Sequence, residues 1–203
     1  MSITLHKHDL PDDLDLGNIV AIDTETMGLN PIRDRLCLVQ LSSGDGNAHL
    51  VQIFDAKENP APNLKKLVSN PDVMKLFHFA RFDVAVLQHT FGIDCPNVYC
   101  TKIASKLVRT YTDKHGLRYL CRELIGVDIS KQYQSSDWGA VELSSEQMNY
   151  AASDVYYLHR LKITLDKMLE REGRTAMAKS CFDFLQTRTT LDLKGWSGDI
   201  FEH

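Results

Sequence analysis

Four carboxylates stand at the edges of apolar stretches, and this constrains the fold more than any other feature of the chain. They are Asp23 and Glu25 in Ile22-Asp23-Thr24-Glu25-Thr26, Asp83 in His78-Phe79-Ala80-Arg81-Phe82-Asp83, and Asp154 in Tyr150-Ala151-Ala152-Ser153-Asp154. A carboxylate in such surroundings is costly unless something offsets its charge. Asp23 and Glu25 lie two apart at the end of a strand-like run, so alternation turns both to one face. Tyr150 precedes Asp154 by one helical turn and shares its face. Oxygen donors gathered from three segments suit a pair of hard divalent cations. Such a pair hydrolyses phosphodiester bonds. Each motif alone has a plainer reading: a solvated strand end, an acid complementing a helix dipole in its first turn, or a core tyrosine beside a surface acid. The three together point to a metal-dependent site.

Bulk properties set the class. The chain has 203 residues, 43% hydrophobic and 25% charged. That is enough for one domain with a substantial core. It contains no run of 18 apolar residues, so no membrane span is expected. Residues 1–8 lack the apolar core of a signal peptide. The five cysteines include no CxxC pair, which argues against a disulfide framework or a zinc site. A cytoplasmic protein with reduced thiols is expected. The net charge of −4 is unusual for a nucleic-acid binder. With four acids held by metal, the remaining surface is nearly balanced. Such a surface should bind locally rather than coat a long strand.

The pattern predicts a mixed α/β domain. Strands are expected over residues 18–24, 35–42 and 48–54, with a turn at Ser43-Gly44-Asp45-Gly46-Asn47 making an antiparallel meander. Further strands are expected over 73–79 and 97–99. Helices are expected over 64–68, from Ala80 to about Phe91, over 102–108 and over 117–124. Ser144 reads as an N-cap with Gln147 completing a capping box. The helix it starts is expected to run unbroken from Ser145 to Arg171 and stop at Gly173. Another is expected over 175–186, then a tail carrying Trp196, Ile200 and Phe201. His6 and His8 are assigned to a mobile end, and His78 to a strand end bonded to backbone.

In their order and context, the carboxylate motifs resemble the DEDD superfamily of 3′→5′ exonucleases. Tyr150 places the chain in the DEDDy branch. Gly116-Leu117-xx-Leu120-xxx-Leu124 and Lys131-xxxx-Ser136-Asp137-Trp138 look most like ribonuclease D. The resemblance covers about residues 17–170. It implies a ribonuclease H-like fold, a three-stranded antiparallel meander plus parallel strands flanked by helices. It implies two divalent cations, Mg2+ or Mn2+, about 3.5–4 Å apart. By that resemblance Asp23 bridges both ions, Glu25 and Asp154 help hold the first, Asp83 acts largely through water on the second, and Tyr150 aims the attacking water. The product would be a nucleoside 5′-monophosphate.

The same resemblance nominates substrate contacts. Thr26 would meet the terminal nucleotide through its backbone, Leu29 would wedge between the last two bases, and Phe82 would pack on the terminal sugar or base. Lys131 and Trp138 would border the site. Lys102, Lys106, Arg109, Lys114, Arg118, Arg122 and Lys131 form the most basic stretch, at least half of it expected to be a solvated face. Two departures matter. Phe79 stands where proofreading DNA exonucleases usually carry asparagine, and the segment after Trp138 lacks the arginine–proline pair often seen in ribonuclease D. The expectation is an exonuclease domain over 1–175 with a C-terminal helix and tail over 176–203, packing on the domain or in a dimer contact. Its partners would be RNA 3′ ends, or single-stranded DNA, met by a monomer or homodimer. A DNA-directed exonuclease and an inactive binding scaffold are the rival readings.

Overall fold

The structure, a computed structural model, describes residues 2–130, 132–133 and 135–202. Six strands form one mixed sheet: β1 (Ser2–Lys7), β2 (Ile19–Thr26), β3 (Leu36–Ser42), β4 (Asn47–Gln52), β5 (Met74–Phe77) and β6 (Val98–Cys100), in the order β1-β4-β3-β2-β5-β6. The β2–β3–β4 meander is antiparallel, while β1, β5 and β6 join in parallel. The expected fold class is therefore present. β3 is buried along its whole length, as its Leu-Cys-Leu-Val-Gln-Leu run requires with helices on both faces.

Alternation along β2 assigns its side chains to two different layers. Val20 and Ile22 join one core cluster with Val84 of α2 (Ala80–Phe91), Leu64 and Val68 of α1 (Pro62–Ser69) and Leu185 of α8 (Leu185–Leu193). Ala21 joins the opposite cluster. That cluster is built with α3 (Thr101–Val108), α4 (Leu117–Ile125), α5 (Ser145–Tyr156), α6 (Leu158–Arg171) and α7 (Thr175–Asp183).

Three expectations need correction. The first is β1, assigned to a mobile end. Its alternating Ile3 and Leu5 pack on a third cluster with Leu38 and Leu50, and the strand pairs with β4 in register. His6 Nε2 and His49 Nδ1 lie 3.0 Å apart with their rings stacked. The second is the long helix from Ser145, which breaks at Tyr157 (φ −106°). The reason is tertiary: α5 packs on β2, β3 and β4, whereas α6 packs on α3 and α4. The third is the helix over 175–186, which is two helices meeting at Phe184, so the segment read as tail begins inside α8. Within the basic stretch, Arg109 is buried; it pairs with Glu123 and donates to the Lys114 carbonyl at 2.7 Å.

The capping box is present. Ser144 Oγ accepts from Gln147 N at 3.2 Å, and Gln147 Oε1 accepts from Ser144 N at 3.0 Å. This start fixes the register that brings Tyr150 and Asp154 around to the sheet. No helix among the described residues is long and apolar enough to cross a membrane.

Candidate active site

Carboxylate oxygens of Asp23, Glu25 and Asp154 all lie within 4.8 Å of one another. Two come from the α5 side of β2 and the third from α5 itself. Asp23 sits opposite Gln40 in the β2–β3 ladder, and Gln40 Nε2 approaches Asp23 Oδ2 at 3.4 Å. The ladder shifts register between Glu25 and Thr26, where β2 leaves the sheet. Asp83 enters from the other layer. It lies in the first turn of α2, is almost wholly buried, and accepts a hydrogen bond from Thr24 Oγ1 at 2.7 Å. Thr24 falls between Asp23 and Glu25, so its side chain faces α2 while theirs face α5.

The electrostatics follow from crowding. Burial, then the charges of Asp83, Asp154 and Glu25, hold the Asp23 carboxyl well above the usual range. Burial, then Asp154 and Asp83, push Glu25 up to about 9. Burial raises Asp83 to about 7 against the opposing pull of the Thr24 hydroxyl and backbone N–H groups. Such a cluster of hard oxygen donors fits divalent cations, because they remove the mutual repulsion and accept only oxygen readily. Burial followed by Asp154, Glu25 and Asp23 keeps the Tyr150 phenol protonated far above its ordinary pKa, and it hydrogen-bonds Asp154. Tyr150 is thus a donor throughout the neutral range.

These five residues line a cleft of about 780 Å³. The expected substrate contacts fall around it unevenly. Thr26 and Leu29 line it, and Leu29 is 88% exposed at the tip of the β2–β3 turn. That turn is tight: the Thr26 hydroxyl donates to the Gly28 carbonyl, and a Cβ at Gly28 would lie 2.3 Å from the Asp34 carboxylate. Phe82 lines the cleft while packing partly on the core. Trp138 also lines it but is only 3% exposed, its ring tilted against Tyr150 at 6.1 Å. Its geometry is that of a support for Tyr150. Lys131 lies outside the described residues.

The cleft also takes in residues that the motifs did not single out. His78 Nδ1 bonds the Thr101 hydroxyl at 2.9 Å. Phe79 contributes an exposed ring, and Lys102 stands over it at 4.1 Å. Lys102 and Arg118 are the members of the basic stretch that line the cleft among the described residues, beside Gly116 and Leu117 at the start of α4. The departure at Phe79, the basic stretch and the Gly116-Leu117 motif had each pointed to part of this lining.

Comparison with known proteins agrees with the geometry. A family model described as 3′-5′ exonuclease matches residues 8–170. This chain belongs to that exonuclease family. Ribonuclease D of Gluconacetobacter diazotrophicus is 37% identical over 155 residues, covering 76% of this chain and 39% of that protein. The chain thus spans about two fifths of the length of such curated relatives. Among solved structures, Brucella melitensis NrnC with bound Mg2+ is 57% identical, with a TM-score of 0.95 and full coverage of both chains. Brucella melitensis NrnC bound to pGG is 58% identical, with a TM-score of 0.96, covering 100% of this chain and 99% of that one. The mixed sheet of this exonuclease-family chain is the ribonuclease H-like arrangement.

Proposed function

We propose that this chain is a metal-dependent 3′→5′ exoribonuclease of the ribonuclease D type. It removes nucleoside 5′-monophosphates one at a time from short RNA 3′ ends in the cytoplasm. The observation that carries this reading is the meeting of Asp23, Glu25 and Asp154 oxygens within 4.8 Å at the floor of a cleft, beside the buried Asp83.

Asp23, Glu25 and Asp154, with Asp83 beside them, would hold the divalent cations, either Mg2+ or Mn2+. Bound, these ions supply an ionised water and charge neutralisation at the phosphate. The remaining work falls to the chain. Tyr150 keeps its proton and orients the attacking water from beside Asp154. Trp138, packed behind it, fixes the phenol's direction. Thr24 holds Asp83 in one rotamer. The Thr26 backbone and Leu29 receive the last nucleotides, and Phe82 borders the terminal sugar. An Mg2+-bound neighbour and one bound to pGG support both the metal and a short RNA substrate.

The test is a time course on 3′-extended RNA, pGG and the DNA counterparts, with Mg2+, Mn2+ or EDTA. Stepwise loss from RNA 3′ ends, abolished by EDTA, is expected. Equal trimming of DNA would instead make the enzyme a general exonuclease. Intact substrate in every metal would remove the enzymatic reading.

A further inference from the structure

Phe79 occupies a backbone position that suits it poorly. Its φ and ψ are 70° and 44°, in the left-handed region, at the residue that opens α2. Bulky L-residues are disfavoured there, while glycine and asparagine are not. The placement also leaves a large apolar residue 46% exposed, in the cleft rather than in the core. Strain of this kind persists where surrounding structure enforces it, and it gathers at functional sites. Here the enforcement is visible. The Phe82 N–H donates to the Phe79 carbonyl at 3.1 Å, His78 is tied to Thr101, and the Lys102 ammonium lies 4.1 Å from the ring centroid. Four residues later α2 delivers Asp83 to the metal cluster. The ring is therefore rigidly placed at the edge of the catalytic floor.

Each flexible alternative at the cleft differs from it. Met27 and Leu29 are also exposed there, but both are aliphatic. Phe82 is only part-exposed and packs against the core, and Trp138 is buried against Tyr150. Among the described cleft residues, Phe79 thus combines an aromatic face, exposure and fixed orientation. Every nucleobase offers a π-face, and base–aromatic stacking holds single strands with little sequence preference.

Building on the exonuclease reading, we infer that Phe79 is a stacking platform for a nucleobase of the bound strand, set in place by Lys102. It is a specificity element for single-stranded ends, since a base must leave its duplex to reach the ring. The helix start tolerates a strained conformation in order to present that ring.

Phe79→Ala, Phe79→Asn and Phe79→Tyr test this with Mg2+ and a short RNA. Ala and Asn should both raise KM by about fivefold or more with a smaller change in kcat, and Tyr should restore KM. Asn accepts the left-handed conformation, so Phe79→Asn should melt about 2–4 °C above Phe79→Ala while binding RNA equally poorly. A wild-type KM in Phe79→Ala would overturn the platform and leave the exonuclease reading intact. So would a KM that follows melting temperature across the three variants. A wild-type chain that cleaves nothing would remove the exonuclease reading, and the platform with it.

Discussion

The two sides of β2 solve the same problem in opposite ways. On the α5 side, Asp23, Glu25 and Asp154 face one another, and neighbouring charge raises Asp23 and Glu25 further above their ordinary range. On the α2 side, Asp83 is more deeply buried but accepts bonds from the Thr24 hydroxyl and from backbone, and it stays near 7 where Glu25 reaches about 9. One group of carboxylates is held in mutual repulsion. The other is already held by the protein. A strand that alternates Asp-Thr-Glu builds both, because each step along it changes layers. The middle threonine is therefore as informative as the acids flanking it.

The largest effect should come from the frustrated side. Asp23→Ala removes a proposed cation ligand and should lower kcat/KM by about 10³-fold or more, the equivalent of several kcal/mol. Its melting temperature in EDTA should hold or rise, since one buried, repelled carboxylate is gone. A variant that loses stability as well as activity would break the claim that this side is frustrated. Tyr150→Phe comes next. The phenol's raised pKa makes it a donor, so removing the hydroxyl should cost kcat roughly 10–100-fold. KM and the metal requirement should change little. A loss equal to that of Asp23→Ala would mean that Tyr150 does more than orient.

Much of this was legible in the residues, and the exceptions share a cause. Asp23 and Glu25 were readable because strand alternation is local. Tyr150 and Asp154 were readable because a capping box fixes helix phase within one turn. Thr24 was not, since its partner lies 59 positions away and a threonine in a strand has many ordinary uses. The break at Tyr157 was invisible for the same reason: two different surfaces, not a breaker residue, divide α5 from α6. β1 carried a readable Ile3/Leu5 alternation, yet as an edge strand it depends on β4 for any reason to order. Phe79 was visible only as a departure from a motif. Its meaning needed the backbone angle.

The protein-held side offers a finer probe. Thr24→Val keeps shape and burial but takes away the hydroxyl that Asp83 accepts from. Leaving a buried acceptor short by one bond costs about 1–3 kcal/mol. The Asp83 carboxyl should then titrate higher, and kcat/KM should fall about tenfold with a higher Mg2+ half-saturation. Titrating activity against Mg2+ for Thr24→Val and Thr24→Ser separates the hydroxyl from the side-chain volume. Serine should retain most of the wild-type behaviour. If valine does too, Asp83 needs no support from β2 and the two sides are less different than their hydrogen bonds imply.

The smallest effect is the one that weighs both sides at once. Glu25 titrates near 9 in the folded chain against an ordinary 4.5, and Asp83 near 7 against 3.8. Below about pH 3 both residues are protonated in either state and no penalty exists. As pH rises, the unfolded chain releases these protons while the folded chain retains them. Stability without metal should therefore decline through the interval from roughly pH 4 to 9, with the Asp83 share complete by about 7 and the Glu25 share continuing beyond it. Divalent cations bind the ionised cluster and should flatten that decline, with the largest gain in melting temperature at the alkaline end. Thermal melts from pH 5 to 9 in EDTA and in Mg2+ measure both curves. Glu25→Gln should flatten the alkaline part in EDTA, and Asp83→Asn the part below 7. Parallel curves with and without Mg2+ would show that the repulsion on the α5 side is relieved by something other than metal.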